Sequence, residues 1–289
     1  MAVIVNMACG LANRMFQYCY YLYLKKLGYD VVVDFYKTAQ LEHEHVSWKS
    51  IFPNAPICQA SAWDVLKTGG GSDLLAKIRR RYFPYTCKVK TLSAFEAPIP
   101  DKISDSVYMM GVFQNAKMVE AIRKEVVAAF TFQPFTDNRN LVFLKEIQAT
   151  QSVGIHVRKG EDYMNRIYYK GTCPEIYYRK AVAYIQEKVK NPRFYVFADN
   201  KGWVKENFKG FEYTLVEGNP VAGYGSHYDM QLMSLCQHNI LSNSTYSWWG
   251  AFLNQNPDKM VVIPEAWFNP ESCKDYTSES VRCEGWIAL

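Results

Sequence analysis

The sequence predicts an α/β protein made of two Rossmann-like halves with a cleft between them, and three observations predict it. An apolar run at residues 2–7 is followed by a tight turn, a helical stretch and the β-branched run Val31-Val32-Val33, which reads as one βαβ unit. From about residue 150 onward five strand-like segments alternate with four helix-like ones, the pattern of a doubly wound parallel sheet. A chain of 289 residues is also long enough to fill two such cores. The boundary is expected near residue 145, giving halves at 1–145 and 146–289.

In the first half, Ala2 to Met7 is a buried strand and Cys9-Gly10-Leu11-Ala12-Asn13 is the turn. Met15 to Leu27 is the helix, with Lys25 and Lys26 in its last turn and Gly28 as its stop. Asp30 to Phe35 is the next strand. Residues 36 to about 100 are irregular. In the second half the strands are Ser152–Val157, Arg193–Ala198, Tyr213–Val216, Asn239–Ser242 and Lys259–Ile263. The helices are Pro174–Val189, Lys201–Phe208, Tyr228–Cys236 and Thr245–Leu253.

Composition narrows the function classes. A net charge of +5 suits a phosphate-bearing ligand or an anionic surface and is too weak to argue for nucleic acid. Residues 77–90 hold six basic and no acidic side chains. They read either as a solvated basic face or as a peripheral membrane contact. No stretch is long and apolar enough to span a bilayer, and the start lacks the marks of an export signal. The eight cysteines show no zinc-like spacing, and Cys19 and Cys236 lie in apolar runs that suit small core residues. A cytoplasmic chain, peripheral to the membrane if it touches one, is the expectation. With 21 tyrosines, aromatic content reaches 15%, which suits half-buried packing and also sugar-handling surfaces.

Open parallel sheets bind ligands beyond the carboxyl ends of their strands, so three segments stand out. His156 and Arg158 alternate at the first strand end and both can face one side. An arginine there can clamp a diphosphate, and Glu161 and Asp162 follow as carboxylates suited to a general base; a mixed-charge surface turn is the other reading. Asp199 follows the next strand, as a ligand contact or as a helix N-cap. Asn243-Ser244-Thr245 opens a helix, where capping and anion binding are compatible. Trp248 and Trp249 read as packing residues. There is no D-x-D, no Walker A loop and no G-x-G-x-x-G. The run Glu42-His43-Glu44-His45 is the nearest thing to a metal cluster, and four adjacent residues rarely close a shell.

Taken together, these segments resemble the bacterial α-1,2-fucosyltransferases of glycosyltransferase family 11. The family's opening G-G-L-G/A-N-x-M-F-Q-Y appears as Cys9 to Tyr18, its H-x-R-R-G-D-Y as His156 to Tyr163, and its third signature as Tyr228 to Trp249. The resemblance implies a GT-B-like fold, GDP-β-L-fucose bound by the second half, the acceptor met by the first, and inverting transfer to the 2-hydroxyl of a terminal galactose. It implies that Arg158 holds the β-phosphate in place of a divalent metal, so that neither metal nor cofactor is expected. His156 and Asp229 are implied as donor contacts, with Asp229 suited to the guanine N–H pair; Asp199 joins the donor-binding set on its strand-end position alone. Asn243, Ser244 and Thr245 would line the phosphates, while Gly10 and Asn13 would approach from the first half. Two departures stand out: Cys9 replaces a glycine, and Glu161 precedes Asp162-Tyr163 as an extra residue, which leaves the base open between the two carboxylates.

Two further classes compete. One is a GDP-fucose enzyme of other linkage, α-1,6 or O-fucosyl; the other is a non-catalytic nucleotide-sugar-binding protein. A dinucleotide oxidoreductase is disfavoured by the missing glycine fingerprint.

Overall fold

The computed structural model describes residues 2–35, 48–71, 73–99, 106–221, 225–273 and 278–289, the side chains of Asp162 and Ser278 excepted. The Glu42–His45 run lies outside the described residues. The chain forms two units, Met1–Thr131 and Phe132–Leu289.

The first unit opens with strand β1 (Val3–Asn6), helix α1 (Leu11–Lys26) and strand β2 (Val31–Asp34). Three helices follow, α2 (Trp48–Ile51), α3 (Ala62–Thr68) and α4 (Leu74–Tyr82). Strands β3 (Val89–Thr91) and β4 (Val107–Met110) complete a parallel sheet in the order β2-β1-β4-β3. Helices α5 (Ala116–Ala121) and α6 (Arg123–Ala129) end the unit. The sequence reading stopped at β2: β3 is Val89-Lys90-Thr91, mostly exposed and set in a basic stretch, and β4 follows a segment whose prolines at 98 and 100 read as irregular.

The second unit begins with α7 (Asn138–Gln148), capped by Asp137, whose Oδ1 accepts from Asn140 N at 2.9 Å. The expected boundary near 145 would cut this helix. The division falls at Thr131 instead, since α7 packs on later elements of the second unit. Then come β5 (Gln151–Val157), α8 (Glu161–Met164), α9 (Glu175–Lys188), β6 (Pro192–Ala198), α10 (Lys201–Asn207) and β7 (Tyr213–Leu215). The chain returns through α11 (Tyr228–Leu235), β8 (His238–Ile240), α12 (Thr245–Leu253), β9 (Val261–Ile263) and a two-residue strand β10 (Ile287–Ala288).

All six strands are parallel, in the order β10-β9-β8-β5-β6-β7. From β5 the chain winds outward to β6 and β7, then crosses back to β8 and winds the other way. The reversal lies between β5 and β8, the place where open parallel sheets take their ligands. Val153, Ile155 and Val157 of β5 are fully buried and pack with Tyr177, Ala181 and Ile185 of α9. Burial on both faces fits the absence of a strict polar-apolar alternation in β5 and β6. Trp248 and Trp249 are wholly buried in α12, as expected of packing residues, and Trp248 Nε1 donates to Val281 O at 2.6 Å. Gly250 lets α12 approach α11: a Cβ there would lie 2.9 Å from Met233 Cβ.

Candidate active site

In the second unit the polar residues picked out from the sequence gather at the carboxyl edge of the sheet. Next to the topological reversal, His156 Nδ1 and Ser242 Oγ are 2.7 Å apart, linking the end of β5 to the loop after β8. Burial first, and then the charge of Arg158, push the imidazole down to about 3, so it is neutral at any ordinary pH. Tyr246, one turn into α12, lies beside this ring with centroids 5.7 Å apart. Its hydroxyl donates to Ser226 O (2.7 Å) and accepts from Met230 N (2.9 Å), so the start of α11 is tied to the same edge.

Arg158 leaves β5 toward the opposite neighbour. Its Nη1 lies 2.9 Å from Asp199 Oδ2, beyond β6, and its guanidinium stacks over the Tyr163 ring at 5.3 Å. Thus His156 and Arg158 do not reach one partner side by side: one is tied toward β8 and the other toward β6. The guanidinium keeps about a third of its surface exposed (34%), so it is fixed in direction and still open to a ligand. Asp199 is not a helix cap, since Asn200 takes that role by accepting from Trp203 N. Instead the Asp199 carboxylate accepts from Lys159 N (2.6 Å) and Gly160 N (2.9 Å) as well as pairing with Arg158. One carboxylate therefore shapes the turn and aims the cation above it.

The residues behind Arg158 form a wall. Tyr163 stacks on Tyr169 with centroids 4.1 Å apart, and its hydroxyl donates to Asn243 O at 2.7 Å. Asn243 is buried, and its side chain is spent inside the protein. Nδ2 donates to Thr172 Oγ1 (2.9 Å) and Trp267 O (3.0 Å), while Oδ1 accepts from Cys173. These bonds hold the loop, and they take up the Asn243 side chain that was expected to line the phosphates. Ser244 caps α12, Oγ accepting from Tyr246 N at 3.3 Å, and Thr245 is the first helical residue, half-buried. Lys159 stands where the family motif has a second arginine. It is buried, donates to Thr172 O at 2.9 Å and lies over Trp203, so it stays within the protein.

Glu161 is exposed at the first position of the short α8, and Asp162 is next to it in that helix. Asp229 is half-buried in the first turn of α11, where Asn219 Nδ2 donates to its Oδ1 at 2.7 Å. Asn219 is held in turn by a reciprocal amide pair with Asn140, both bonds 2.9 Å. Burial raises the Asp229 carboxyl to about 6 against the opposing pull of Asn219 and Lys201.

Gly10 and Asn13 belong to the first unit. Gly10 is exposed at the N-cap of α1 with φ −68°, and a Cβ on it would meet nothing. The left-handed position is Cys9, φ +71°, at the point where the family pattern has its first glycine. Asn13 Oδ1 accepts from Gln114 Nε2 at 3.1 Å. Gln17 fastens the same loop, accepting from Ala8 N and donating to Gly111 O, both at 2.8 Å.

Several participants were not singled out from the sequence: Ser242, Tyr246, Tyr163 as a plate for the guanidinium, and the Asn140–Asn219 pair behind Asp229. Ser242, Tyr163 and Tyr246 sit inside segments already flagged. Asn140 and Asn219 are 79 positions apart and only folding joins them.

Glycosyl transferase family 11 matches residues 92–289, more than half of the chain. The chain is 31% identical over 195 residues to the O-antigen biosynthesis glycosyltransferase WbnK of Escherichia coli, covering 65% of this chain and 62% of the relative. An alpha-1,2-colitosyltransferase of Escherichia coli is 30% identical over 191 residues, 63% of each chain. Galactoside alpha-(1,2)-fucosyltransferase 2 of Rattus norvegicus is 27% identical over 52% of this chain and 48% of its own. The chain thus aligns with less than two thirds of the length of these relatives. Among solved structures, the fucosyltransferase NodZ from Bradyrhizobium superposes with a TM-score of 0.52 at 12% identity, covering 86% of this chain and 90% of NodZ. A NodZ alpha-1,6-fucosyltransferase soaked with GDP-fucose gives 0.51 at 13%, covering 87% and 92%. These two show the shared fold, in line with the GT-B-like class expected from the sequence. The chain belongs to glycosyl transferase family 11.

Proposed function

We propose that this glycosyltransferase moves L-fucose from GDP-β-L-fucose to the 2-hydroxyl of a terminal β-galactoside, inverting the anomeric carbon, without a divalent metal. The observation that carries the reading is the aimed guanidinium: Arg158, braced by Asp199 and Tyr163 at the carboxyl edge of β5, beside the sheet's reversal. The names of relatives that carry α-1,2 transfer support the linkage.

In this reading the β-phosphate lies against Arg158, and the N-terminus of α12 with Ser244 and Thr245 faces the phosphates. Neutral His156 serves as a hydrogen-bond partner and not as a cation. Asp229 takes the guanine N1–H and N2–H. The acceptor oxygen attacks the anomeric carbon while the bond from that carbon to the β-phosphate oxygen breaks. The electron pair leaves with GDP, whose gathering charge the guanidinium stabilises. The hydroxyl proton goes to Glu161, to Asp162 or to water.

The test is GDP release from GDP-fucose with lactose, with and without EDTA, followed by linkage analysis. Turnover insensitive to chelation and an α-1,2 product are expected. A product of other linkage, or GDP binding without turnover, refutes the reading. The colitosyltransferase relative motivates one second donor, GDP-colitose, and competition between the two donors decides which is used faster.

A further inference from the structure

Helix α4 turns its apolar side outward. On a 3.6-residue period Leu74, Leu75, Ile78 and Tyr82 share one side, and all four are exposed, Leu74 and Leu75 by 72% and 78%. The inward side consists of buried Ala76 with Arg79 and Arg80, whose guanidiniums are spent on backbone carbonyls. Arg79 donates through Nη1 to Leu66 O and through Nη2 to Thr86 O at 2.9 Å. Arg80 Nη1 donates to Gly69 O (2.8 Å) and Gly71 O (2.9 Å). These bonds fasten α4 to α3 and to the turn at 84–86, so the apolar side is a built surface and not a frayed end. Phe83 and Tyr85 continue it, both exposed.

The charge around this surface is mainly basic, and the neighbouring acids are engaged at helix starts: Asp73 accepts from Ala76 N at the cap of α4, and Asp64 accepts from Ser61 Oγ at the start of α3. Residues 74–95 carry six basic side chains and no acidic one. Lys77 and Arg81 flank the apolar side of α4, and Arg81 lies 5.9 Å from the Tyr82 ring. On α3, Lys67 sits 5.3 Å over the exposed Trp63 in the same pairing of cation and ring.

We propose that this face of the first unit docks on an anionic bilayer surface. Leucine, isoleucine and aromatic side chains suit the boundary between headgroups and acyl chains, while the flanking lysine and arginine reach the lipid phosphates. A second copy of the chain is a poorer occupant, because pairing like with like would oppose two faces whose segment 74–95 carries six basic side chains and no acidic one. None of the exposed α4 residues is among those proposed to bind the donor, so the two readings stand or fall separately.

The test is co-sedimentation of the full chain with vesicles of phosphatidylglycerol and phosphatidylcholine, and with phosphatidylcholine alone. Binding to the anionic vesicles only, weakened by added salt, is expected. Leu74→Glu with Leu75→Glu, and separately Lys77→Glu with Arg81→Glu, each lower partitioning about tenfold or more, with melting temperature and GDP release in solution unchanged. Wild-type protein that stays in the supernatant, or paired variants that bind as wild type does, overturn the proposal. A dimer in sedimentation velocity that the leucine pair dissolves, with no vesicle binding, assigns the face to a second copy instead.

Discussion

The chemistry proposed for this chain rests on one cation, and the neighbours of Arg158 decide what its replacement does. Asp199 and Tyr163 aim the guanidinium, and neither depends on it for its own place, since Asp199 keeps two backbone donors and Tyr163 keeps Asn243 O and the Tyr169 stack. Arg158→Ala is therefore expected to cut kcat by ~10²–10³-fold while the melting temperature stays near wild type. Arg158→Lys keeps the charge without the fork and recovers only part of the rate. Wild-type kcat in the alanine variant would remove the assignment. Asp199→Ala strands two backbone amides and releases the guanidinium, so it should lose about 2–3 kcal/mol of stability in urea unfolding and also slow turnover. The pH dependence of binding comes from Asp229, whose carboxyl titrates near 6. If the ionised form accepts from guanine, GDP affinity is level above pH 6 and falls about tenfold per unit below it. Calorimetry across that range checks this, and Asp229→Asn should abolish the slope. Stability carries the opposite sign for this group: its contribution is fullest below its ordinary range near 4 and is lost as pH rises through 6. His156 behaves the other way, holding stability above pH 6.5 and losing it as acid forces a proton onto a buried ring.

Loops at strand ends set the site, and their chemistry divides between what local sequence shows and what folding adds. The helix start at Ser244 and Thr245 was legible because small hydroxyl residues before an apolar run mark a cap. Ser244→Ala is expected to cost about 1 kcal/mol from the lost cap alone, and Asn243→Ala more, since three internal bonds go with it. Urea unfolding of the two variants ranks them. The opening turn was read over Cys9–Asn13 with Cys9 in the place of a glycine, and Cys9 is the residue that takes the left-handed backbone. A cysteine at φ +71° carries a cost that glycine does not. Cys9→Gly should therefore match or exceed wild-type stability, by up to ~1 kcal/mol, despite the greater freedom of the unfolded chain. A lower melting temperature would contradict the backbone geometry. The roles of Asp199 and Asn243 were not legible because partner identity is not local. Asp199 looks like a cap until Asn200 takes the cap, and Asn243 looks available until Thr172 and Trp267 claim its amide.

At the scale of the whole chain, periodicity carried the second unit well and the first poorly. Buried parallel strands such as Ser152–Val157 announce themselves as apolar runs, and each alternates with a helix that has its own face. In the first unit β3 is mostly exposed and lies in a basic stretch, and no helical pattern leads into β4, so the four-stranded sheet was read only as far as β2. The boundary was misplaced for a related reason. Helix α7 precedes its sheet, and only its packing on α11, with Asn140 meeting Asn219, assigns it to the second unit. That assignment has a functional consequence, because the pair holding Asp229 then lies wholly in the second unit. The residues from His156 to Thr245 proposed to hold the nucleotide belong there too, whereas Gly10 and Asn13, expected to approach the sugar or diphosphate, belong to the first unit. Hydrogen exchange with saturating GDP is thus expected to protect segments near 156–163, 226–230 and 242–249. The turn at Cys9–Asn13 should exchange as it does without nucleotide. Protection confined to that turn would reverse the division of labour between the units. Protection of both segments by GDP alone would mean that the first unit also holds nucleotide, and Gly10→Ala, sterically tolerated within its own unit, would then be expected to weaken GDP binding.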